Sequence, residues 1–173
     1  MSVRIGHVFW LAAMIVLFAF PPKPQAQPKP LTLSYAEAHA LVRAYRAGDH
    51  YGIGFIFAAI VWEESTFCVR MHGDYGRAYG CSQIHARAAE AVSGVKIPPW
   101  MLDDRDLDDL NLALGARYLD LCLRRFGYPA GIGCYHVGIP KAAAMGKRAL
   151  SRLPYTQKVL ARIRRLHRLP VGD

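Results

Sequence analysis

The chain has 173 residues and a mass of 19.3 kDa, enough for one compact core and too little for two separate ones. It is 53% hydrophobic and 20% charged, which excludes a disordered chain, and its 15 Gly and 11 Pro are too few and too irregular for a collagen-like repeat. Lys and Arg outnumber Asp and Glu by 22 to 13, so the net charge of +9 selects anionic partners: nucleic acid, anionic lipid or an anionic cell-wall polymer.

The first 26 residues predict a targeting segment rather than part of the fold. Arg4 precedes an unbroken run of 13 apolar residues, Val8 to Phe20. That is the length of a signal-peptide core and short of the ~20 residues that span a bilayer. Five prolines between Pro21 and Pro30 then make a stiff extended linker, which carries on through residues 27–33. Two outcomes follow for this segment. Cleavage after Ala26 releases the domain into the periplasm, although Pro24 is a poor residue at the third position before the cut. Without cleavage, residues 5–20 stay as an inner-membrane anchor with the domain facing the periplasm. Export is expected in both.

Residues 34–168 predict one mainly α domain. Ser34 with Glu37 is a capping-box start, and Ala38, Leu41, Val42 and Tyr45 recur at helical spacing up to Gly48. A second helix, about Gly52 to Ser65, is apolar nearly all round and belongs at the centre of the domain. Between Phe67 and Gly80 the periodicity stops, and Gly73, Gly76 and Gly80 mark an irregular loop or short hairpin. Helical spacing resumes from about Ser82 to Val92, and Pro98-Pro99 breaks the chain before Trp100. Asp103, Asp104, Asp106, Asp108 and Asp109 load the front of a long helix whose far end carries Arg124 and Arg125, an order that suits the helix dipole better than a metal site. Shorter helices follow at Gly131 to Val137 and Pro140 to Met145, and a last one at Pro154 to His167.

The central helix ends in two adjacent carboxylates, Glu63 and Glu64. An acid at the end of an apolar helix is costly to ionise, so it stays protonated near neutrality and is ready to act as a general acid. Glu64 shares a face with Phe57, Ile60 and Val61, while Glu63 points about 100° away. Because the helix is apolar all round, spacing alone does not choose between them, and a solvated pair at a helix end competes evenly with a catalytic one. Cys68, Cys81, Cys122 and Cys134 are even in number, and export makes one or two disulfides the favoured reading over buried thiols. Four cysteines allow three complete pairings and the sequence does not decide among them; Cys122 with Cys134 is the pair chosen, because their spacing across the helix break at Gly127 to Gly131 lets two antiparallel helices face each other. The absence of a C-x-x-C or H-E-x-x-H pattern argues against zinc, and no metal or other cofactor is expected.

Four segments in order carry a resemblance. Glu64-Ser65-Thr66-Phe67 followed by Tyr79-Gly80-Cys81-Ser82-Gln83-Ile84 resembles the soluble lytic transglycosylase family, in which the catalytic Glu opens an E-S-x-F motif and a G-L-M-Q turn follows. Asn111-Leu112 with Gly115 and Tyr118-Leu119 is similar to that family's N-I-x-x-G-x-x-Y-L helix. Cys134-Tyr135-His136-Val137-Gly138 is similar to its A-Y-N-A-G segment, and Tyr155 to Leu160 to its terminal Y-V-x-x-V-L. The resemblance implies a lysozyme-like fold and cleavage of the β-1,4 bond between N-acetylmuramic acid and N-acetylglucosamine in peptidoglycan, leaving 1,6-anhydro-muramic ends.

By family position Glu64 is the catalytic acid and base, Ser65 and Tyr135 orient or contact its carboxyl, Gln83 lines the cleft and Tyr155 closes the back of the site. His136 stands where the family has Asn, still able to hydrogen-bond, and Cys81 and Ser82 replace Leu and Met in the cleft wall. Asp74 keeps open a goose-type hydrolytic reading, in which it positions a water, and a non-catalytic wall-binding component of a virion or secretion machine is the more distant alternative. From Leu121 to Gly172 there are 11 Lys and Arg and no acid, which suits holding to anionic envelope components and equally an ordinary solvated basic face. Nucleic acid is not an expected partner of an exported chain without a nucleic-acid module, and a monomer is expected.

Overall fold

The computed structural model describes residues 31–169, apart from the side chains of His72 and Asp74. The targeting segment, the Ala26 cut and most of the proline linker lie outside the described residues. The unit that begins at Leu31 is mainly helical. None of the described helices is long and apolar enough to cross a membrane.

The first helix, α1 (Tyr35–Asp49), starts as its sequence dictates. The Ser34 hydroxyl accepts from the Glu37 backbone N–H, and the Glu37 carboxylate accepts from the Ser34 N–H at 2.8 Å. This closes both arms of a capping box. Helix α2 (Gly54–Ser65) is the apolar one, and Phe57 through Trp62 are all buried. It lies between α1 and the last helix, α9 (Pro154–Leu166), which shield most of it from water and leave Phe55 near its start exposed.

The aperiodic stretch after α2 holds a small antiparallel sheet in the order β1 (His72–Gly73), β2 (Ala78–Tyr79), β3 (Ile84–His85), with a 3-10 turn at Asp74–Gly76. Two expectations change here. Ser82 and Gln83 belong to a turn, and the helix expected from Ser82 begins only at Ala86, as α3 (Ala86–Ser93). Pro98-Pro99 ends one segment but also opens another, because Pro99 occupies the first turn of α4 (Pro99–Asp103), where a missing N–H costs nothing.

The long helix α5 (Asp108–Phe126) carries Asp108 and Asp109 in its first turn and Arg124 and Arg125 in its last. Arg43 of α1 donates to Asp109 at 2.8 Å and to Asp108 at 3.4 Å, so part of the acidic cluster also fastens α1 to α5. Helices α6 (Ala130–Val137), α7 (Ile139–Met145) and α8 (Lys147–Arg152) complete the unit. Six residues are too few to display a helical period, and α8 is absent from the sequence reading for that reason. Phe57, Ile60, Leu112, Leu119 and Ile132 form the centre of the core.

All four cysteines are paired. Cys122 joins Cys134 as expected, with Cα atoms 5.7 Å apart, and ties α5 to α6. Cys68 joins Cys81, with Cα atoms 4.4 Å apart, and ties the chain leaving α2 to the turn before β3.

Candidate active site

The two carboxylates at the end of α2 lie in different surroundings. Glu63 accepts a 2.6 Å hydrogen bond from Arg162 Nε and lies 3.5 Å from Lys158 Nζ, both on α9. Arg162 also covers the Trp62 ring at 4.4 Å. Glu63 is therefore a paired, structural carboxylate. Glu64 has a neutral partner instead: the Tyr155 hydroxyl donates to its Oε1 at 2.6 Å. Burial pushes the Glu64 carboxyl up from 4.5 to about 7, the Tyr155 hydrogen bond pulls it partly back, and the Glu63 charge adds to the rise. At neutral pH such a group is divided between acid and base, which lets one side chain give a proton and take one back.

Immediately after Glu64 and Ser65 the chain turns away sharply. Thr66, Phe67 and Cys68 have φ of 54°, 54° and 66°, three consecutive non-glycine residues in the left-handed region. Ser65 holds this turn. Its hydroxyl donates to the Val61 carbonyl at 3.0 Å and accepts from the Cys68 N–H at 2.8 Å, while the Ser65 carbonyl accepts from the Arg70 N–H at 2.8 Å. Phe67 is buried and stacks on Trp62 at 5.4 Å, and the Cys68–Cys81 bridge fixes the far end. The Ser65 hydroxyl is thus spent on backbone, not on the Glu64 carboxyl.

The opposite wall is built around Asn111 of α5. Its Oδ1 accepts from the Ser82 N–H at 2.9 Å and the Ser82 hydroxyl at 2.8 Å, and its Nδ2 donates to the Tyr79 and Leu102 carbonyls, each at 2.9 Å. These four bonds explain why helical spacing at Ser82 does not become a helix: tertiary partners claim the backbone first. Two glycines make the approach feasible. Gly80 has φ +67° and faces the Asn111 amide where a Cβ would stand, and a Cβ on Gly115 would lie 2.6 Å from Ser82. Gln83, at φ 50°, is buried and donates through Nε2 to the Gly80 carbonyl at 2.8 Å.

Tyr135, buried on α6, donates to the Ser82 carbonyl at 2.8 Å. It lies near enough to feel the Glu64 charge, but the orienting hydrogen bond expected of it falls to Tyr155. Burial first, and the Glu64 charge next, hold both tyrosine hydroxyls well above the ordinary tyrosine value, so both remain donors. His136 stacks on Tyr155 with ring centroids 4.2 Å apart and planes at 8°. Burial, then the positive charges of Lys141 and Lys158, lower its pKa against an opposing pull from Glu63, leaving a neutral ring at pH 7.

A hollow of about 420 Å³ opens beside the carboxyl, lined by Glu63, Glu64, His136, Leu153, Tyr155 and Lys158. A second of the same volume, with Gln83, Tyr118 and Tyr135 in its wall, also has His136 as a lining residue. Five of the expected site residues, Glu64, Tyr155, His136, Gln83 and Tyr135, therefore face one or the other hollow. Ser65 supports the surrounding backbone, as Tyr135 also does through its bond to the Ser82 carbonyl. The Asp74 side chain lies outside the described residues. Arg162 and Lys158, which single out Glu63, are hidden in the sequence among the other cations of the basic C-terminal region. Among the described residues, the three potential metal ligands that come together are Cys68, Cys81 and Asp108, and both cysteines are already bonded to each other.

Comparison of the chain with known protein families, curated proteins and solved structures gives no match.

Proposed function

We propose that the protein is an exported peptidoglycan-cleaving enzyme with a lysozyme-like fold, acting as a lytic transglycosylase through Glu64. The observation that carries the reading is the contrast between the two neighbouring acids: Glu63 is paired with Arg162 and Lys158, whereas Glu64 is half-buried, bonded to a tyrosine hydroxyl and displaced to a pKa of about 7. The ordered resemblance from Glu64 to Leu160 supplies the substrate class.

In this mechanism protonated Glu64 gives its proton to the glycosidic oxygen, with the neighbouring N-acetyl group assisting departure. The resulting carboxylate draws the proton from the muramic acid C6 hydroxyl, whose oxygen attacks C1 and closes the 1,6-anhydro ring. The Tyr155 hydrogen bond stabilises the carboxylate between the two steps. A two-carboxylate hydrolysis needs a second free acid across the bond, and Glu63 is both paired and adjacent in sequence. Two disulfides fit the oxidising compartment that export implies. The basic C-terminal region is suited to holding the enzyme against anionic envelope polymers.

A clearing assay on purified cell wall tests the reading. Wild-type protein and Glu63→Gln clear the suspension, while Glu64→Gln remains folded and loses several orders of magnitude in rate. Near-normal clearing by Glu64→Gln overturns the assignment.

A further inference from the structure

The hollow beyond His136 is chemically unlike a sugar site. Its wall includes Ile84, Ala88, Tyr118 and Ile139, with no Asp or Glu. The polar groups around it are largely occupied: the Gln83 amide nitrogen donates to the Gly80 carbonyl, the Tyr135 hydroxyl to the Ser82 carbonyl, and the Tyr118 hydroxyl accepts from the Ile139 N–H at 3.3 Å. A hydroxyl-rich ring would find few free donors and acceptors there. Methyl groups would find apolar surface.

Two histidines, His85 and His136, also line the hollow, and Arg87 supplies its fixed positive charge. It lines the hollow from the first turn of α3, is exposed, and has no hydrogen-bond or ion-pair partner among the described residues. A guanidinium at the edge of an apolar hollow matches a ligand that is small, methyl-bearing and carboxylate-ended. The shared His136 wall makes this hollow adjoin the one that holds Glu64, so a substituent of the sugar reacting at Glu64 is the natural occupant.

We infer that this hollow receives the peptide stem attached to the muramic acid lactyl group, with the lactyl and alanyl methyls against its apolar wall and a stem carboxylate paired to Arg87. The inference rests on the peptidoglycan-cleaving reading and adds a specificity determinant to it: Arg87 makes the enzyme selective for glycan that still carries peptide.

Binding of two small probes tests this without any bond being cut. N-acetylmuramoyl-L-alanyl-D-glutamate, whose glutamyl α-carboxylate is free in the stem, is compared with its α-carboxamide by calorimetry or by shift perturbation of the wild-type protein. The acid should bind about tenfold more tightly than the amide, with shifts at Ile84, Ala88 and Tyr118. Arg87→Ala should remove the preference and Arg87→Lys should keep part of it. Equal affinity of the wild type for acid and amide, no measurable binding of the acid, or a preference that survives in Arg87→Ala overturns the inference. Neither probe contains the scissile bond, so a failure of cleavage in the clearing assay is read separately from a failure of this site.

Discussion

Replacing Glu64 by Gln separates the stability effect of a buried ionisable acid from its chemistry. The Gln side chain keeps an Oε1 acceptor for the Tyr155 hydroxyl and nearly the same volume, but it cannot ionise. In the folded wild type the carboxyl is displaced from 4.5 to about 7, so the native state holds this proton more tightly than the unfolded chain. Below pH 4.5 both states are protonated and the acid carries no penalty. As pH rises from 4.5 to 7 the unfolded chain releases the proton first, and native stability falls; above 7 the penalty is complete. A displacement of this size corresponds to about 3 kcal/mol. Urea unfolding of both proteins at pH 4, 6 and 8 measures it, since the other titrating groups are common to the pair and cancel. The variant's advantage should be near its minimum at pH 4 and larger by about 3 kcal/mol at pH 8. A difference that does not change with pH would refute the placement of Glu64 as a desolvated acid without an ion-pair partner.

Three further outcomes follow from the same geometry. Tyr155→Phe removes the hydrogen bond that pulls the Glu64 carboxyl down, so the alkaline limb of activity, expected at about pH 7 in the wild type, should move upward while His136 keeps its stacking partner; a pH–rate profile checks this, and a downward shift opposes it. Asn111→Ala leaves the Ser82 N–H and the Tyr79 and Leu102 carbonyls without their partner, a loss of about 4 kcal/mol on urea unfolding. Cys68→Ser with Cys81→Ser opens the loop that fixes the turn after Glu64 and should cost about 3 kcal/mol, measured as a lower urea midpoint.

Much of this arrangement is legible in the sequence where the signal is local. Ser34 and Glu37 specify a helix start because both arms of the capping box lie within one turn, and the spacing of Cys122 and Cys134 across a short helix break permits the bridge that the structure shows, one of three complete pairings open to four cysteines. The identity of the special carboxylate is less accessible. Both acids end an apolar helix, and what separates them is contributed by α9, about ninety residues further along: Arg162 and Lys158 reach Glu63, and Tyr155 reaches Glu64. Periodicity carries no information about such contacts. The same is true at Ser82, whose helical spacing yields to Asn111, and at Ser65, whose motif position suggests a carboxyl partner while its hydroxyl is committed to Val61 and Cys68.

Product mass after digestion of purified peptidoglycan tests anhydro-ring formation through Glu64. Wild-type protein should release muropeptides ending in 1,6-anhydro-muramic acid, one water lighter than hydrolytic products, and Glu64→Gln should release none. Exclusively reducing-end products, no release by the wild type, or equal release by the Glu64→Gln variant would contradict it.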